Sequence, residues 1–108
     1  MDTYKIEDFV KGWIIGDFSP SLYKNSQFEV AVKFFKQGER EPSHKQLTAT
    51  EVTVVIEGKI RLGNCTFIRG DVISIPPLEV ADFESLTDSS LMCIKFPSLP
   101  NDKVVVGG

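Results

Sequence analysis

From Glu51 to Pro77 short apolar runs alternate with turn dipeptides, and the rest of the chain is read around that stretch. Ala49 to Ile56 is rich in β-branched residues, carries no Gly or Pro, and ends at Glu57-Gly58. Lys59 to Leu62 is a second short run, closed by Gly63-Asn64, a dipeptide that tolerates positive φ and suits a two-residue hairpin. Cys65 to Ile68 follows, closed by Arg69-Gly70, and Asp71 to Ile75 runs into Pro76-Pro77. Four short strands so spaced predict an all-β fold, an antiparallel barrel or sandwich.

The flanks extend the pattern. Ile6, Phe9 and Val10 are spaced for one side of a helical turn over Tyr4 to Val10, which Gly12 ends. Trp13 to Ile15 reads as a short strand, and Asp17 to Ser26 as a loop. Gln27 to Phe35 alternates, with Phe28, Val30, Val32 and Phe34 on one face and Glu29, Ala31, Lys33 and Phe35 on the other. Lys36 to Ser43 is charged and is expected to be a solvated loop. Further strands are predicted through Phe83 and over Leu91 to Phe96, and Val104 to Val106 is a candidate edge strand. The strand after Glu51 is apolar on both faces: Val52, Val54 and Ile56 on one, Thr53 and Val55 on the other. Such a strand needs cover from a second sheet or a second subunit, and a homodimer is the favoured expectation.

Composition narrows the class. At 108 residues the chain suits one domain with one core. Twelve basic against fifteen acidic residues give a net charge of −3, which argues against a nucleic-acid partner. No apolar run reaches the length of a membrane span, so no membrane partner is expected. The acidic, mixed start MDTYKIEDF does not resemble a signal peptide, and a cytoplasmic location is expected. Cys65 and Cys93 both fall inside strand patterns without metal-type spacing, and both are expected to be buried thiols.

Over about residues 38 to 96 the sequence resembles the cupin family of small jelly-roll barrels. The first cupin motif, G-x5-H-x-H-x(3,4)-E-x6-G, is met by Gly38, His44, Glu51 and Gly58 at matching spacing, with Gln46 in place of the second histidine. Of the second motif, G-x5-P-x-G-x2-H-x3-N, Gly70 and Pro76 remain, while Leu78, Ala81 and Ser85 replace Gly, His and Asn. The turn residues that make the fold are kept, and the residues that hold a metal are partly lost. The resemblance implies a single-domain cupin-type antiparallel jelly roll, with His44, Gln46 and Glu51 at one mouth of the barrel. It implies at most a weakly held divalent transition metal on those three, because a neutral amide is a poorer donor than imidazole. The plain alternatives are a hydrogen-bonded loop histidine at His44 and a solvated strand end at Glu51.

Three functions compete. The favoured one is a cupin of unassigned specific activity that binds a small molecule, a sugar or carboxylate metabolite, through His44, Gln46 and Glu51. The second is an enzyme: a metal-dependent oxygenase or isomerase on the reduced site, or a metal-free sugar isomerase or epimerase with His44 or Glu51 as general base. Enzymes of the latter kind that act on nucleotide-linked sugars need a phosphate site, and the chain shows only scattered Lys33, Lys45, Arg61 and Lys95. The third is a non-catalytic dimeric structural or regulatory module.

Overall fold

The computed structural model describes residues 1–107. Ten strands form two five-stranded antiparallel sheets. They are β1 (Trp13–Ile15), β2 (Glu29–Phe35), β3 (Arg40–Gln46), β4 (Thr50–Glu57), β5 (Lys59–Leu62), β6 (Cys65–Ile68), β7 (Val72–Ile75), β8 (Ala81–Ser85), β9 (Ser89–Phe96) and β10 (Lys103–Val105). The first sheet runs β1-β2-β9-β4-β7, the second β10-β3-β8-β5-β6. The chain steps between sheets at its turns, as in a jelly roll. Gly58 carries β4 into β5, Arg69-Gly70 carries β6 into β7, and Thr87-Asp88 carries β8 into β9. Leu62 pairs with Cys65 across Gly63-Asn64, the two-residue hairpin its sequence predicts.

Strand registers sort the faces, since directly opposed residues lie on the same side of a sheet. Ala31, Val55, Ile60, Phe83, Leu91 and Cys93 form the buried core between the sheets. The Phe35 and Phe83 rings meet there with centroids 4.6 Å apart. Burying a side chain of this size contributes about 1.5–3 kcal/mol.

Two readings of the sequence need correction. Arg40 to Ser43, expected to be loop, is the first half of β3. Its charged residues form a strand because Arg40 and Glu41 pair with Glu84 and Phe83 of β8, and Pro42, which has no N–H to donate, sits where the register shifts between Glu41 and His44. Cys65, expected to be buried, is exposed at the start of an edge strand, whereas Cys93 is buried. The expected N-terminal helical turn is present, in the form of two short 3-10 turns, Ile6–Asp8 and Val10–Gly12.

In β2 the more apolar face of the alternation points out of the barrel. Ala31 is fully buried and Phe35 joins the core, while Phe34 is 64% exposed. The same holds for β4, where Thr53 and Val55 are buried and Val52, Val54 and Ile56 face outward. No helix among the described residues is long and apolar enough to cross a membrane.

Candidate functional site

One end of the barrel interior is apolar and the other is not. Across the first sheet Glu29, Lys95, Glu51 and Ile75 stand abreast on β2, β9, β4 and β7. The next row inward is Ala31, Cys93, Thr53 and Ile73, and beyond it come Lys33, Leu91 and Val55. On the facing sheet Gln46 stands opposite Lys103, and His44 opposite Ala81 and Val105. His44, Gln46 and Glu51 therefore line one cavity, together with Trp13, Lys33, Lys95 and Lys103.

Each polar group there is held differently. His44 is half-buried, and its Nδ1 lies 3.1 Å from the Pro42 carbonyl oxygen. Nδ1–H donates in the tautomer that suits this contact, which leaves Nε2 as an acceptor. Thr53 Oγ1 donates to Glu51 Oε2 at 3.1 Å, and so orients that carboxylate. Gln46 is only 4% exposed, yet neither its Oε1 nor its Nε2 has a hydrogen-bond partner among the described residues. An unpaired buried amide costs about 1–3 kcal/mol. Such a group is uncommon and marks a place where something else is meant to bind.

The lysines are the larger surprise. Lys95 is 8% exposed, with its Nζ 4.9 Å from the centroid of the Trp13 ring, and Lys33 Nζ lies 5.1 Å from the same ring. Lys103 completes the group from β10. Burial holds its ammonium below the ordinary lysine range; Glu41 and Glu51 oppose this shift, and Lys33 and Lys95 reinforce it. Burial likewise pushes the Glu29 carboxyl up, against the pull of Lys95 and a hydrogen bond from Ser98. The Cys93 thiol behind them is pushed up to about 11, first by burial and then by Glu51.

Asp102 sets the last lysine in place. It is buried, and its carboxylate accepts from the backbone N–H groups of Thr48 and Ala49 at 3.0 and 2.9 Å. Its carbonyl accepts from Leu47 N at 2.9 Å. The turn between β3 and β4 is thus tied to the start of β10, and Lys103 is carried to the side of Gln46.

A divalent metal would have to use His44, Gln46 and Glu51, since Ala81 supplies only a methyl group. That set does not fit a transition metal. It offers one imidazole, one carboxylate and one neutral amide, and three lysine ammonium groups share the cavity and repel a cation. Among the described residues, no group of three or more His, Cys, Asp or Glu side chains is placed to hold a metal ion.

Reading the sequence did not gather Lys33, Lys95 and Lys103 into a site, and it took Lys33 and Lys95 for scattered charges. Their signal was weak but present: a lysine on the inward face of β2, and another inside the apolar run LMCIKF. Arg61, grouped with them in the sequence, lies elsewhere, bound to Asp82 at 3.0 Å and to Glu84 at 3.4 Å.

With fold and site described, the likeness to known proteins is clear at the level of architecture. A conserved protein with a double-stranded β-helix domain from Klebsiella pneumoniae matches over 98% of this chain and 92% of its own, with a TM-score of 0.71 and 16% identity. An RmlC-like cupin from Shewanella frigidimarina matches over 71% of this chain and 72% of its own, with a TM-score of 0.62 and 18% identity. A sugar phosphate isomerase of the cupin superfamily from Silicibacter pomeroyi matches over 66% of this chain and 51% of its own, with a TM-score of 0.60 and 21% identity. No protein-family model and no curated protein matches the sequence. The chain has the cupin fold, a double-stranded β-helix of two antiparallel sheets.

Proposed function

We propose that this cupin-fold protein binds a small metabolite, a sugar or a carboxylate, in the mouth of its barrel. The observation that carries this reading is the Gln46 amide, buried in the cavity with both polar atoms unpaired. A ligand hydroxyl or oxyanion offers what that amide lacks. His44 and Glu51, on facing walls of the cavity, supply an acceptor and a fixed carboxylate for orientation. The two free thiols fit a cytoplasmic setting.

Native mass spectrometry of the gently purified protein tests this reading. The expected result is a bound small molecule that is lost in Gln46→Leu. A wild-type spectrum identical to that of the variant, with no ligand recovered from either, would sink it.

A second reading, metal-free sugar isomerisation, is favoured by the His44 ring. The Pro42 carbonyl holds Nδ1 and leaves Nε2 to take a proton, as a general base requires. The likeness to a sugar phosphate isomerase supports the same reading. His44→Ala is expected to fold normally and to lose any such turnover; a large loss of thermal stability would show a purely structural histidine instead.

The outer face of the first sheet supports a homodimer. Val30, Ile94 and Val52 stand abreast there, and Val32, Met92, Val54 and Val72 form the next row, with Phe34 beyond. Phe34 is 64% and Val72 67% exposed, while the residues between them are half-buried and the N-terminal 3-10 turns border the face beside Val32 and Phe34. Two copies of this face would shield each other from water. Light scattering should give twice the chain mass, and Val72→Lys should return it to the monomer.

A further inference from the structure

We propose that the open end of the barrel is a carboxylate subsite, in which Lys33, Lys95 and Lys103 hold the anion and the Gln46 amide donates to it. This rests on the small-molecule reading above and assigns its ligand a charge.

Three observations carry the assignment. The first is that none of the three lysines makes a close ion pair. Lys95 stands between Glu29 and Glu51 in its row, and Lys103 lies near Glu41. Even so, the ion pairs among the described residues are Arg40–Glu84, Arg61–Asp82, Arg61–Glu84 and Arg69–Glu57, none of which involves a lysine. Glu51 is turned to Thr53, at 3.1 Å, rather than to an ammonium group. Lys33 and Lys95 instead meet the face of Trp13, which attracts a cation but leaves its N–H donors free.

The second observation is the charge balance. Among the lining residues Lys33, Lys45, Lys95 and Lys103 face Glu41, Glu51 and Glu79, one more ammonium than carboxylate, with Glu29 beside Lys95 just outside the lining. One ligand carboxylate matches that extra ammonium. Phosphate, with close to two charges at neutral pH, overshoots. The third observation is size. The cavity, about 50 Å³ as space for the centres of water-sized groups, admits a few waters or a group the size of a carboxylate.

Lys95 is buried, Lys33 is half-buried and Lys103 lies at the exposed rim, and like charges brought together there are unfavourable unless an anion joins them. The Lys–Trp–Lys arrangement thus makes physical sense as the resting half of a binding site. Trp13 also makes the site visible, because it is the sole tryptophan in the sequence.

The test is a Trp13 fluorescence titration of the full chain at low ionic strength. The probes are sodium acetate, lactate and galacturonate, with galactose and inorganic phosphate alongside. Saturable emission changes are expected with the carboxylates and not with galactose. They should weaken with added salt and lose more than about tenfold in affinity in Lys95→Met. Saturation by galactose to the same degree would leave the small-molecule pocket standing and overturn its preference for an anion. Saturation by phosphate alone would overturn the carboxylate assignment, and so would no response to any carboxylate. A second measurement needs no ligand. Lys95→Met should melt at or above the wild-type temperature in carboxylate-free buffer. A clear fall would show that the protein itself satisfies that ammonium, and would overturn the inference.

Discussion

The two ends of the barrel interior obey different rules. At the closed end every buried polar atom is paired: Ser85 Oγ donates to the Thr87 carbonyl at 2.6 Å, and Ser89 Oγ donates to the same carbonyl at 2.9 Å. Around them Val55, Ile60, Phe83 and Leu91 are buried and in mutual contact. Toward the open end, two inward-facing positions along β4 and β9, Gln46 is unpaired and three lysines share a cavity without an ion pair, Lys33 reaching it from the row of Leu91 and Val55. Both ends are built on the same strands, so the difference is not one of architecture. Stability is built where polar groups are satisfied, and binding capacity is held where they are not.

The comparison is open to direct attack, beginning at the closed end. Gly58 has φ of 89°, and a Cβ there would collide with the Asp88 carbonyl oxygen and Ser89 Oγ. Gly58→Val should cost more than about 3 kcal/mol and leave little folded protein by circular dichroism. Gly70, with φ of 92° but open space around it, isolates backbone strain from collision. Gly70→Val should therefore lose only about 1–2 kcal/mol in urea melts. Equal losses in the two variants would mean that the collision at Gly58 is relieved by movement of the turn.

Next come matched truncations at the two ends. Phe83→Ala removes a core ring and should destabilise by about 3–5 kcal/mol. Gln46→Leu, at the open end, removes an unpaired amide of similar volume and should stabilise the ligand-free protein by about 1 kcal/mol. If Gln46→Leu instead destabilises the protein, the amide is satisfied in solution and the contrast between the ends fails.

The smallest effect lies between the ends, at Cys93. Its folded pKa of about 11 exceeds the ordinary thiol value of 9.0, so the folded state holds this proton more tightly than the unfolded chain does. That contribution to stability is fully present below pH 9 and is lost as pH rises through about 11. Cys93→Ser should flatten this part of the stability profile. In the wild type at neutral pH, a thiol reagent should label exposed Cys65 and spare Cys93. Comparable labelling of both would place Cys93 nearer solvent than its burial indicates.

Much of this was written locally. Gly58, Gly63-Asn64, Gly70 and Pro76 end strands by their own conformational limits, so β4 to β7 were legible from neighbouring residues alone. The resemblance of His44, Gln46 and Glu51 to the cupin motif implied a shared mouth, and these three line one cavity. Arg40 to Ser43 is a strand that its own residues do not signal, because polar residues can be held in a sheet by a partner, and that partner, β8, lies far along the chain.

The sequence by itself determined where the chain turns, and which side chains alternate along each strand. It did not determine which alternating face looks inward, because in β2 and β4 both faces carry apolar residues. Only the closing of the two sheets decided that Lys33, Lys95 and Lys103 meet. They come from β2, β9 and β10, and the pairing of β2 with β9 and of β10 with β3 is what brings them to one cavity. Turn chemistry acts between neighbouring residues and can be read from them, whereas a charge cluster assembled across two sheets exists only once the long-range registers are set.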